Sequence, residues 1–226
     1  MSMATALPPV IAIDGPSASG KGTIAAAIAQ RLGFHYLDSG ILYRIVGFVG
    51  IEQGADLDDD AQMSSIALNL NIKLEHDKVW LNNREVSGLV RDERAGAAAS
   101  RVGALPGVRT ALMALQRGFR RPPGLVADGR DMASVVFQDA QLKIYLTATA
   151  EERARRRYKQ LIEKGHDASM AALLQDICER DFRDSTRAAA PLQRCADAVE
   201  IDTTGTPVEA VVAQVLRLYQ KHHKTQ

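Results

Sequence analysis

The sequence predicts an α/β fold in which a central parallel sheet is flanked by helices. Three observations carry that expectation. Short apolar runs of strand length recur along the chain, stretches of helical periodicity lie between them, and the first run passes through a glycine-rich turn straight into a helix pattern. The 226 residues suffice for one domain, or for one domain carrying an insertion. Apolar residues at 46% and charged residues at 24% are ordinary globular usage, which excludes disordered, collagen-like and coiled-coil chains.

Val10-Ile11-Ala12-Ile13-Asp14, stopped by Gly15 and Pro16, has the pattern of a strand buried on both faces. From Thr23 the apolar residues Ile24, Ala27, Ile28 and Leu32 recur at helical spacing, and Gly33 stands where a left-handed helix cap is expected. Leu125-Val126-Ala127 before Asp128-Gly129, Leu142 to Leu146, and Ala198 to Asp202 are the remaining strands expected of the sheet. Between them the rhythm breaks. Ile72 to Glu75 and Lys78 to Leu81, separated by His76-Asp77 and followed by Asn82-Asn83, alternate apolar with polar residues, so an antiparallel insertion is expected over about 63–96. Glu151 to Lys164 and Ser169 to Arg183 predict two helices joined at Gly165-His166, rich in arginine, as a candidate mobile lid.

Twenty-eight basic and 27 acidic residues leave a formal charge of +1, so the broad positive footprint of a dedicated nucleic-acid binder is missing. Any bound anion must be held locally. Cys178 and Cys195 are too few for a zinc cluster or a disulfide framework, and they are expected as buried bystanders in a reducing compartment. No run approaches the roughly 18 apolar residues of a membrane helix, and Met1 to Pro9 lacks the basic start and apolar stretch of a signal peptide. A cytoplasmic protein is expected, with no membrane, nucleic-acid or obligate protein partner. Asp56 to Asp60 reads as a solvated acidic loop, and Trp80 as a packing residue of the insertion.

The strongest chemical signal is Gly15-Pro16-Ser17-Ala18-Ser19-Gly20-Lys21-Gly22-Thr23. Glycines let the backbone turn its N–H groups toward phosphate oxygens, the following helix presents its positive end, and Lys21 supplies charge to the terminal phosphates. The strict pattern has Ser or Thr directly after the lysine; here Gly22 intervenes before Thr23. Magnesium is expected to accompany a nucleoside triphosphate, with Asp128 at its strand end favoured over Asp14 as the carboxylate anchor and Thr23 as the hydroxyl candidate. Tyr36 to Arg44 is the second informative segment. Ser39 before Gly40 at a helix start, with Arg44 a turn later, has the makings of a second anion pocket. Asp128, Arg130 and Asp131 crowd three charges at one strand end, which favours a site over a surface turn.

These motifs resemble those of the bacterial cytidylate kinases within the nucleoside monophosphate kinases. Asp14 to Thr23, Leu37-Asp38-Ser39-Gly40 with Tyr43-Arg44, Asp128-Gly129-Arg130-Asp131-Met132, and Glu179-Arg180-Asp181 with Arg183 to Arg187 carry the resemblance, which runs from Val10 to about Thr204. Gly-Lys-Gly-Thr is that family's usual loop ending. The resemblance implies the nucleoside monophosphate kinase fold with an enlarged monophosphate-binding insertion and a short helical lid. A single domain is then expected, with core approximately 8–38, 100–150 and 185–222, insertion approximately 39–99 and lid approximately 151–184.

The resemblance also implies a reaction: phosphoryl transfer from ATP, with Mg2+, to CMP or dCMP, giving ADP and CDP or dCDP. It implies that Ser39, Arg44, Arg130 and Arg187 hold the acceptor phosphate, that Ser100, Arg109 and Asp131 read the cytosine, and that Arg180 with Asp184 binds the sugar. The chemistry of the base agrees in part: a carboxylate or hydroxyl facing the ring amine and an arginine facing the carbonyl side would reject uracil. Around the migrating group the resemblance implies Lys21, Arg130, Asp128 and one lid arginine, Arg156 and Arg157 being equal candidates among positions 153, 155, 156 and 157. Two other readings stay open at this point. One is a kinase for another acceptor, UMP or a small metabolite such as shikimate; the other is a nucleotide-dependent switch, although no guanine-reading Asn-Lys-x-Asp set is present.

Overall fold

The computed structural model describes residues 7–75, 78–163 and 165–223. The turn expected at His76-Asp77, the residue Lys164 that was to end the first lid helix, and Met1 to Ala6 lie outside the described residues. By compactness the chain divides into two units. One holds the chain up to Leu37, Arg117–Thr186 and Ala190 onward; the other holds Asp38–Gln116 and Arg187–Ala189.

The first unit is built on a five-stranded sheet in the order β2-β6-β1-β7-β8. Its strands are β1 (Val10–Asp14), β2 (His35–Asp38), β6 (Leu125–Gly129), β7 (Leu142–Thr147) and β8 (Val199–Asp202). β1 runs parallel to β6 with Ile13 opposite Asp128, and parallel to β7 with Asp14 opposite Tyr145. Every residue of β1 and β6 is buried, as a parallel strand covered on both faces requires. Helices α1 (Lys21–Leu32) and α8 (Val208–His223) share a core with the sheet, in which Ile24, Ile28, Val211 and Val215 join Ile11, Ile13, Ile144 and Leu146. Gly33 ends α1 in the left-handed conformation, φ 66°, with its N–H on Ala29 and Gln30 carbonyls, as its position predicts. The expected arginine-rich helices are α6 (Ala150–Glu163) and α7 (Met170–Thr186).

The second unit carries α2 (Ser39–Glu52), α3 (Asp60–Leu68), β3 (Ile72–Glu75), β4 (Lys78–Leu81), β5 (Arg84–Glu85), α4 (Glu93–Val102) and α5 (Pro106–Arg117). β3 and β4 pair antiparallel, Ile72 opposite Leu81 and Glu75 opposite Lys78, as the alternation predicts. Asn82 and Asn83 take left-handed backbone, φ 48° and 66°, which a tight turn into β5 needs and asparagine tolerates.

Two expectations are corrected. The acidic loop is not merely solvated: Asp59 caps α3 through the Gln62 amide at 3.0 Å, and Asp60 accepts the Gly107 amide at 2.9 Å at the start of α5. Carboxylates at helix starts satisfy amides that have no partner inside the helix, which is why acidic residues gather there. Nor are the cysteines buried. Cys178 is exposed on α7 and Cys195 is half-buried, both as free thiols. Among the described residues no helix is long and apolar enough to cross a membrane.

Candidate functional site

The loop between β1 and α1 is shaped for anions by its backbone. Gly15 has φ 154°, and a Cβ there would fall 2.0 Å from the Leu146 carbonyl oxygen, so β7 approaches too closely for any side chain. Ala18 (φ 58°) and Gly20 (φ 91°) are left-handed, a local pattern that turns successive amides to one side. Gly20 occupies the cap position of α1 without a side-chain cap, and the first turn holds no acidic residue. The first amides of α1 therefore await an outside acceptor. Lys21 is buried and donates from Nζ to the Pro16 carbonyl at 2.7 Å.

At the carboxyl ends of the strands sit the charges expected there. Burial, followed by the nearby Arg130, pushes Lys21 down to about 7 against the pull of Asp128, Asp14 and Asp184. Burial also opposes the Arg130 charge, but Asp184, Asp128 and Asp181 outweigh it and hold Arg130 above its usual value. Arg130 Nε donates to Asp184 Oδ2 at 2.8 Å. Arg180 is lowered by burial and then by Arg130, and its buried Nε has no hydrogen-bond partner among the described residues. Arg157 is lowered by burial and then by Arg180. Like charges that depress one another in a buried cluster make a place where an anion gains most.

The lid arginines separate by partner. Arg156 lies on backbone, with Nη1 on the Ser19 carbonyl at 3.2 Å and Nη2 on the Thr203 carbonyl at 2.5 Å. Arg157 stands in the field of Arg180 and also reaches Gln160 at 3.2 Å. Arg153, buried, spans from the Ser17 carbonyl at 3.1 Å to Asp181 on α7 at 2.6 Å.

The carboxylates differ in the same way. Asp128, buried at the end of β6, accepts the Tyr36 hydroxyl at 2.7 Å. Asp14 spends both oxygens on backbone, accepting the Met132 amide at 2.9 Å and the Ala133 amide at 2.8 Å, which starts a π-helical turn over Met132–Val136. Burial raises Asp14 to about 6 although those amides pull it down. Asp131, 2% exposed, precedes that turn. Thr23 is exposed, while Gly22 turns toward the carboxylate: a Cβ at Gly22 would stand 3.4 Å from both Asp128 Oδ2 and the Tyr36 hydroxyl. Among the described residues no three His, Cys, Asp or Glu gather as a metal cluster. A donor set of one engaged carboxylate fits magnesium, which takes one or two protein oxygens and draws the rest from phosphates and water.

In the second unit Ser39 is buried as the first residue of α2, and Asp38 caps that helix on the Ile41 amide at 3.2 Å. Arg44 donates to the Val90 carbonyl at 3.3 Å and the Asp92 carbonyl at 3.0 Å, across the start of α4. Arg109 and Arg187 come together: both donate to the Gly103 carbonyl, at 3.0 and 3.2 Å. Arg109 also lies 5.7 Å from the Tyr43 ring centroid. The Ser100 hydroxyl is buried with no hydrogen-bond partner among the described residues, a costly state that a ligand would relieve. Sequence reasoning missed Tyr36, Tyr43 and Thr203 as supports; the placing of Tyr36 one residue before a buried strand position, beside the Asp38-Ser39 motif, was the one available signal.

Comparison with known proteins extends this. The family model described as Cytidylate kinase matches residues 11–221. A cytidylate kinase of Nitrosomonas europaea is 52% identical over 216 residues, 96% of this chain and 97% of that protein. A cytidylate kinase of Cupriavidus necator is 53% identical over 210 residues, 93% and 95% of the two chains. Among solved structures, a gluconokinase from Sinorhizobium meliloti aligns with TM-score 0.50 at 16% identity, over 97% of this chain and 98% of that one, a likeness of fold.

Proposed function

Because this chain belongs to the cytidylate kinase family, whose activity is the transfer of a phosphoryl group from ATP to CMP and dCMP, we propose how its own residues divide that work. The observation that carries the proposal is the cluster in which Asp128, Asp14 and Asp184 support the charge of buried Lys21, while Arg130, bonded to Asp184 at 2.8 Å, is held charged by Asp184 and Asp128. Lys21 and the loop amides from Ser17 to Thr23 hold the donor phosphates, with Gly15 and Pro16 shaping the entry. Ser39, Arg44, Arg130 and Arg187 hold the acceptor phosphate. Ser100, Arg109 and Asp131 read the cytosine, and Arg180 with Asp184 takes the sugar. Arg157, in the field of Arg180, is the lid arginine that meets the transferring group.

The chemistry asks these groups for position and charge. A phosphate oxygen of CMP attacks the γ-phosphorus, the bond to the bridging oxygen breaks, and ADP leaves with that oxygen. Lys21, Arg130 and Arg157 stabilise the charge spread over the migrating group. Asp128 and Thr23 are the residues that would hold magnesium, which would neutralise charge on the triphosphate. The insertion of approximately 39–99 is the monophosphate-binding part of this scheme, and α6 with α7 its lid.

Measuring ADP formation from MgATP against CMP, dCMP, UMP, shikimate and no acceptor tests the scheme. Turnover with CMP and dCMP far above the rest supports it. Equal ADP release with and without acceptor points to a nucleotide switch and removes it.

A further inference from the structure

Arg156 is engaged by protein acceptors through all three of its nitrogens. Besides Ser19 O at 3.2 Å and Thr203 O at 2.5 Å, its Nη1 reaches the Thr203 hydroxyl at 3.0 Å and its Nε reaches Glu152 at 3.0 Å. Four of its five N–H donors are thereby spent on protein groups. Thr203 is 2% exposed and belongs to the same knot. Its hydroxyl lies 3.2 Å from the Ser19 carbonyl and 3.0 Å from the Thr147 carbonyl, while its amide donates to Thr147 O at 2.8 Å. The loop is thereby fastened to the end of β7.

The consequence follows from the planar trans peptide, in which the carbonyl of one residue and the amide of the next point in opposite directions. A donor that fixes Ser19 O on one side fixes the Gly20 N–H on the other. Arg153 does the same through Ser17 O, at 3.1 Å, for the Ala18 N–H. Lys21 holds Pro16 O at 2.7 Å. The carbonyls at 16, 17 and 19 are therefore held, and with them the directions of the amides that follow before a triphosphate arrives.

We infer that Arg156 and Thr203 are positioning residues of the donor site, which act on ATP through the Ser19 carbonyl and do not touch the transferring phosphoryl group. The inference deepens the proposed function and rests on it for the identity of the donor. Arginine is required at 156 because its fork spans two carbonyls, which a lysine ammonium cannot do from one point.

Steady-state kinetics of Arg156→Lys, Thr203→Val and Thr203→Ser with ATP and CMP varied separately, together with ADP binding by calorimetry, test this. Arg156→Lys and Thr203→Val should each raise KM for ATP and weaken ADP binding about tenfold, the loss expected for one such hydrogen bond, with KM for CMP within about twofold. Thr203→Ser keeps the hydroxyl and should restore wild-type values. The double variant should lose less than the product of the single effects, because both groups hold one carbonyl. Unchanged KM for ATP and unchanged ADP binding overturn the inference, whether or not kcat falls. If Arg156→Lys fails to fold by circular dichroism, Thr203→Val, which removes only a hydroxyl, decides. Should the wild type make no CDP, the proposed function fails while the ADP-binding arm still judges the clamp.

Discussion

The Tyr36 hydroxyl donates to Asp128 Oδ2 at 2.7 Å, and Gly22 faces both atoms because it has no side chain to place there. The carboxylate proposed as the metal anchor is thus oriented by a phenol, and a Cβ at position 22 would stand 3.4 Å from both partners. Tyr36→Phe should lower kcat/KM for ATP about tenfold or more, the loss expected for a hydrogen bond to a charged group. Titrating activity against magnesium should show a higher requirement in the variant. An unaltered magnesium profile would remove Tyr36 from the account.

Asp14 acts on backbone, and its substitution should be felt as stability. Asp14→Ala leaves two buried amides, Met132 and Ala133, without their acceptor, and unfolding in urea should show a loss of about 1–3 kcal/mol at pH 7. Because burial raises the folded carboxyl to about 6, above its ordinary value of 3.8, the folded state binds the extra proton between those values. Stability from this group is full at low pH and declines as pH rises through 6. The advantage of wild type over the variant should therefore shrink from pH 4 to pH 7, and a growing advantage would contradict the burial argument.

Lys21 carries the opposite sign. Its folded value of about 7 lies below the ordinary 10.5, so between those values the free enzyme holds a neutral amine where the unfolded chain would hold an ammonium. A bound triphosphate restores the charge. Calorimetry of ATP binding at pH 8 in buffers of different ionisation enthalpy should show uptake of up to about one proton, lost in Lys21→Met. No uptake in the wild type would mean that Lys21 is already charged in the free enzyme.

Ser100→Ala should separate function from stability. Its hydroxyl is buried without a hydrogen-bond partner among the described residues, so removing it costs the fold nothing and the melting temperature should hold or rise. The ratio of kcat/KM for CMP over UMP should fall by about tenfold or more, because Ser100 is proposed to face the ring amine that uracil lacks. A preserved ratio places base reading elsewhere.

Elements whose pattern is local were legible. β1, β6, β7 and β8 announce themselves as apolar runs with stops, and Gly33 announces the end of α1. β2 was missed as a strand because only Leu37 of His35–Asp38 is buried, which leaves no run to read. The phosphate-binding loop was legible because its chemistry lies in nine consecutive residues. The choice between Arg156 and Arg157 was not: the two are adjacent, and the carbonyls that engage Arg156, those of Ser19 and Thr203, lie 137 and 47 residues away in the chain. The convergence of Arg109 and Arg187 on one carbonyl is likewise tertiary, and no spacing encodes it.

The most direct test of the account is CDP formation from CMP and ATP by Lys21→Met, measured beside circular dichroism of the same sample. Removing the lysine proposed to hold the donor phosphates should cut kcat by about 10²–10³-fold or more while the spectrum stays that of the wild type. A folded variant that turns over within a few-fold of wild type would mean that the phosphoryl group leaves from somewhere other than this loop.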